Sequence, residues 1–68
     1  MMTYEELKEL KPGDVLMQSD GPEWTLLVLS SPRDIVEDRF ATLDVLRDDG
    51  KVILSRHTDA SVWRKLTK

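Results

Sequence analysis

A chain of 68 residues and 7.8 kDa has room for one small domain over residues 1–68, and none for a Rossmann unit or an α/β barrel, which layer helices on a large sheet. Ten Lys and Arg against 13 Asp and Glu give a formal charge of −3, and 40% of the residues are hydrophobic. That is enough for a packed core, and the balance is too acidic for a polycationic binder. Cysteine is absent, so neither a disulfide framework nor a thiolate metal site supplements the core, and self-association is a common supplement at this size.

The N-terminal Met1-Met2-Thr3-Tyr4-Glu5-Glu6 has no basic stretch leading into an apolar run, and Leu26 to Leu29, the longest such run, is too short to cross a bilayer. The expectation is a cytoplasmic protein. Thr3 followed three residues later by Glu6 forms a capping box, and Tyr4, Leu7 and Leu10 recur at helical spacing, so a helix is expected over 4–11. Pro12-Gly13 ends it, because proline disfavours helical geometry in the residue before it and glycine tolerates a sharp exit.

From Asp14 the pattern changes to short apolar runs separated by turn residues, the signature of a small barrel or sandwich. Strands are expected over 15–19, 24–30, 40–47, 51–56 and 62–66. The second follows a turn cluster, Ser19-Asp20-Gly21-Pro22, and is apolar on both faces, with Trp24, Leu26 and Val28 on one and Leu27 and Leu29 on the other, so each face needs a cover. Residues 31–39 form the only extended connection, in which Ser31-Pro32-Arg33-Asp34 reads as the start of a single helical turn. Ile35 and Val36 within it either tuck under the sheet or meet a partner.

Asp49-Gly50 suits a two-residue type I′ hairpin turn, pairing Asp48 with Lys51, Leu46 with Ile53 and Val45 with Leu54. One face then carries Leu43, Val45, Val52 and Leu54, assigned here to the core; the other carries Thr42, Asp44, Leu46, Ile53, Ser55 and His57. Thr58-Asp59-Ala60-Ser61 reads as a one-turn 3₁₀ connection, and Val62 to Leu66 as a closing strand, with a helix capped by Thr58 as the rival reading.

This order of elements resembles the SH3-like β-barrel: five short strands, a tight hairpin at Asp48-Asp49-Gly50 and a 3₁₀ turn at Thr58 to Ser61 before the last strand. Lys11-Pro12-Gly13-Asp14-Val15 is similar to the Pro-Gly-Asp starts of many such barrels in bacterial and phage proteins. The resemblance covers nearly the whole chain through generic turn chemistry, and implies a binding module and nothing narrower. The chain departs from the peptide-binding type, which clusters tyrosines and tryptophans. One Tyr, one Phe and two separated Trp do not match that pattern, so affinity for proline-rich ligands is not implied.

One histidine and no cysteine give no convergent metal ligands, and the turn already accounts for Asp48 and Asp49. Gly13, Gly21 and Gly50 are too scattered for a phosphate-binding loop. Nucleophilic catalysis would have to use His57 with Ser55 or Ser61 and with Asp59 or Asp44. Ser55 and His57, two apart on one strand face, are separated by about 7 Å, too far for a direct hydrogen bond. No enzyme and no cofactor are therefore expected. Arg33, Arg39, Arg47, Arg56 and Arg64 read first as a solvated lattice with the acidic residues, and the acidic balance disfavours duplex DNA.

The surplus of apolar side chains over the space inside one small barrel points instead to an interface. The sequence reading is a non-catalytic module acting by protein–protein contact, with a host or viral target or a second copy, in the style of small phage accessory proteins. Its expected interface is Ile35, Val36, Leu46 and Ile53. The alternatives are an oligomer that sequesters a nucleotide-like anionic metabolite through Arg56, His57, Arg64 and Trp63, and a single-stranded nucleic-acid binder, which needs Trp24 or Trp63 exposed beside arginines.

Overall fold

A computed structural model describes residues 1–19 and 24–66. Helix α1 (Tyr4–Lys8) starts at the expected capping box: Thr3 Oγ1 accepts the Glu6 N–H at 3.1 Å, and Glu6 Oε1 accepts the Thr3 N–H at 2.9 Å. It ends three residues earlier than the spacing predicts. Beyond it the backbone turns, with the Lys11 N–H bonded to Asp14 Oδ2 and the Asp14 N–H to the Lys11 carbonyl. Gly13 sits at φ +99° and donates to the Val28 carbonyl, so the Pro-Gly turn is stitched to the sheet it introduces.

Among the described residues the sheet has six antiparallel strands where five were expected: β1 (Val15–Gln18), β2 (Thr25–Val28), β3 (Arg33–Val36), β4 (Phe40–Arg47), β5 (Val52–Asp59) and β6 (Trp63–Leu66). The order is β3-β4-β2-β1-β6, with β5 on the other edge of β4. Among the described residues the sheet does not close, and β3, β5 and β6 each have one strand partner. The C-terminal segment is a strand, and the 3₁₀ turn expected at residues 58–61 is replaced: β5 runs on to Asp59, and a turn closed by Val62 N–H to Asp59 carbonyl leads into β6. Most of the expected Ser19–Pro22 turn lies outside the described residues.

The extra strand replaces the helical turn expected at Ser31–Asp34. β3 pairs with β4 through Arg33↔Thr42 and Val36↔Phe40, and β-branched Ile35 and Val36 suit that pleated surface. Glu37 and Asp38 then hold φ of 56° and 54°, and the Arg39 N–H reaches the Val36 carbonyl, the geometry of a type I′ turn built without glycine.

The β4–β5 hairpin corrects the predicted register. Gly50 N–H bonds to the Arg47 carbonyl and Arg47 N–H to the Lys51 carbonyl, with Gly50 at φ +87°. The loop therefore has three residues, and Leu46 faces Val52 while Val45 faces Ile53. A slip of one residue exchanges the faces of a strand. Ile53, expected on the outer face, packs against the core, whereas Val52 and Leu54, expected inside, are exposed. A bulge between Leu43 and Val45 then restores the predicted pairing, from Leu43↔Arg56 to Phe40↔Asp59.

The core collects Met2, Leu7 and Leu10 from the N-terminal segment with Leu16, Leu26, Val28, Ala41, Leu43, Val45, Ala60 and Trp63 from the sheet region. Accessible surface totals 4293 Å², close to the ~4,400 Å² expected of a compact monomer of this mass. Packing is therefore not loose, and what sets the surface apart is where its aliphatic side chains stand.

Candidate functional site

Alternation along each strand puts Leu16, Leu26, Val28 and Val45 inside and their neighbours outside. The registers align those outer neighbours. Leu66 pairs with Val15, Val15 with Leu27, Leu27 with Leu46, and Leu46 with Val52, an unbroken aliphatic row across five strands. Leu29, whose N–H bonds to the Asp44 carbonyl, and Leu54 flank it. Exposure grows toward β5: Leu29 keeps 40% of its surface, Val52 55% and Leu54 70%.

One ion pair stands beside this face. Arg33 donates to Asp44 Oδ1 at 2.9 Å and to Ser30 Oγ at 3.1 Å, and Asp44 Oδ1 also accepts the Ser55 N–H. Arg33 and, after it, the Ser55 amide hold the Asp44 carboxyl below its ordinary value. With its charge satisfied, Asp44 leaves the surrounding aliphatics as the face's unmet demand.

A second cluster forms where β1, β2 and β6 end together. Trp63 pairs with Gln18, and the Gln18 N–H bonds to the Trp24 carbonyl, so Trp63, Gln18 and Trp24 continue the inner side of three adjacent strands. Arg47 lies 4.5 Å from the Trp24 ring centre, and Arg56 lies 5.1 Å from that of Trp63.

The residues singled out in the sequence separate on the structure. Of Ile35, Val36, Leu46 and Ile53, the two isoleucines pack against the core, Val36 is 52% exposed on β3, and Leu46 stands in the outer row. Of the anion set, Arg56 and Trp63 are stacked. His57 meets Arg56 only as a carbonyl acceptor and turns an exposed side chain outward from β5. Arg64 on β6 touches Met17 Sδ. Trp63 is core, whereas Trp24 keeps 37% of its surface. The sequence signal for the outer face was the doubly apolar β2; Val52 and Leu54 were missed because the turn was read one residue short.

Among the described residues no three His, Asp or Glu side chains converge as a metal site, and no helix is long and apolar enough to cross a membrane. No protein-family model matches the chain, and neither does any curated protein or solved structure.

Proposed function

We propose that the chain is a non-catalytic binding module that docks on another protein through the outer face of β2, β4 and β5. The observation that carries this reading is the cross-strand row Leu27, Leu46 and Val52 with Leu29 and Leu54 beside it, an apolar surface held rigid by the sheet beneath it. Setting β3 aside, the strand order β6-β1-β2-β4-β5 supports reading the domain as SH3-like, with β3 an insertion between its second and third strands. That superfold serves binding in many settings, which fits a small accessory protein acting on a larger target.

A second copy of the chain is the partner that the domain's size favours. A domain this small gains much from buried area, and an apolar sheet face is self-complementary about a two-fold axis. Light scattering across a concentration series tests the reading, together with Leu54→Asp. Association abolished by Leu54→Asp at unchanged circular dichroism supports it. A parent protein that stays monomeric and captures no protein whose retention Leu54→Asp removes overturns it.

A further inference from the structure

Three arginines of the sheet region are matched by aspartates: Arg33 with Asp44, Arg39 with Asp59 and Arg47 with Asp49. Arg56 is not. Half-buried on β5, it spends one N–H on the His57 carbonyl at 3.1 Å and, among the described residues, has no carboxylate partner. Four of its five N–H donors are thus unassigned there. Burial, and after it the neighbouring charge of Arg47, pull its pKa below the ordinary guanidinium value. A cation partly withdrawn from water, beside a second cation and with no carboxylate partner among the described residues, is destabilising unless something else supplies the negative charge.

Its surroundings indicate what that ligand carries. Arg56 is held over Trp63 and Arg47 over Trp24, the two indoles that bracket Gln18 in the inner row Trp63-Gln18-Trp24. Trp24 remains partly exposed, and Gln18 between the two indoles bears an amide that both donates and accepts. A guanidinium fork, an accessible indole and an amide are the complement of a phosphate joined to a planar heterocycle.

We infer that this end of the sheet binds a nucleotide unit, with its phosphate on Arg56, its base against Trp24 and Gln18 between them. The unit could come from a free mononucleotide or from single-stranded nucleic acid, and the chemistry is shared. Because stacking on an indole tolerates every base, little sequence preference is expected. The outer apolar face takes no part, so this inference and the proposed docking surface stand or fall separately.

The test is titration of the full chain with adenosine monophosphate, a short oligothymidine and inorganic phosphate, read by tryptophan fluorescence and melting temperature. Quenching and a higher melting temperature with a nucleotide or with oligothymidine are expected, weakening as salt rises; which of the two binds more tightly identifies the source. Arg56→Gln should weaken binding ~10-fold or more while leaving the melting temperature of the free protein equal or higher, because it removes a half-buried cation that has no carboxylate partner among the described residues. Trp24→Leu should weaken binding by a similar factor, and it carries the test if Arg56→Gln fails to fold. No response to either nucleotide probe, a response matched by inorganic phosphate alone, or binding unchanged in the folded variants overturns the inference.

Discussion

Asp44 accepts the backbone N–H of Ser55 at 2.9 Å, opposite the point where Ser55 takes φ +55°. That bond holds the bulge which returns β5 to register after the three-residue hairpin loop. Its second partner, Arg33, ties the bulge to β3, and Ser30 Oγ accepts the N–H of Asp44 itself. Asp44→Ala should therefore do more than delete a surface charge. It leaves the Ser55 amide without its acceptor and Arg33 without its aspartate, so the melting temperature should fall, and amide exchange should speed up at Ser55 ahead of the core strands. Uniform protection along β5 in the variant would contradict this role.

Left-handed backbone at residues other than glycine yields a separate prediction, made at the β3–β4 turn. A serine at φ +55° is in a conformation that glycine adopts at no steric cost, and the Ser55 hydroxyl makes only a 3.4 Å contact to Arg33. Glu37 and Asp38 hold the same kind of strain in the β3–β4 turn. Replacing them by Asn-Gly, the pair that type I′ turns favour, should stabilise the chain by ~1 kcal/mol, or roughly 4–8 °C at the midpoint. A lower midpoint in thermal unfolding would show that the two acidic residues make contacts worth more than their strain.

Three aspartates sit below their ordinary pKa through arginine partners: Asp44 beside Arg33, Asp59 beside Arg39, and Asp49, lowered to about 2, beside Arg47. The unfolded chain protonates these groups near pH 3.9 and the folded chain only below it, so their contribution is fully present above about pH 4. It is lost as pH falls below that, the share of Asp49 by about pH 2. Urea midpoints should be level near neutrality and drop through that window. Asp49→Asn should lie below the parent at pH 6 and converge with it near pH 2; parallel curves at every pH would contradict the assignment.

Local chemistry made much of this legible. Thr3 and Glu6 announced α1, Pro12-Gly13 its exit, and the apolar runs the positions of β1, β2, β4 and β6, because each signal acts within a few residues. What failed turned on finer local geometry and on strand pairing. Asp49 lies in the turn as expected, but its carboxylate accepts from Arg47 and from the Lys51 N–H, two residues to either side, and these bonds accompany a three-residue loop that the Asp-Gly pair does not distinguish from a two-residue turn. That single residue of slip moved Val52, Ile53 and Leu54 to the wrong faces. β3 was missed because Ser31-Pro32-Arg33-Asp34 carries helix-start chemistry, while the partner that makes the segment a strand, Phe40–Thr42 of β4, lies across a turn whose left-handed residues are acidic rather than glycine. The surplus of apolar residues was visible, but its location depended on the register.

The same register sets two neighbouring substitutions apart. Ile53 faces Val45 and packs on the core, so Ile53→Ala should cost on the order of 2 kcal/mol and Ile53→Asp should unfold much of the population. Leu54, 70% exposed one residue further on, should accept aspartate within ~0.5 kcal/mol. The sequence-predicted register demands the reverse, with Ile53→Asp folded and Leu54→Asp disrupted. Urea denaturation of the two aspartate variants at a concentration where the parent is monomeric therefore decides between the registers. At higher concentration the same Leu54→Asp protein, intact as a monomer, should fail to associate. A variant equally stable and equally associated would remove β5 from the docking face and leave Leu27, Leu29 and Leu46 as its only claimants.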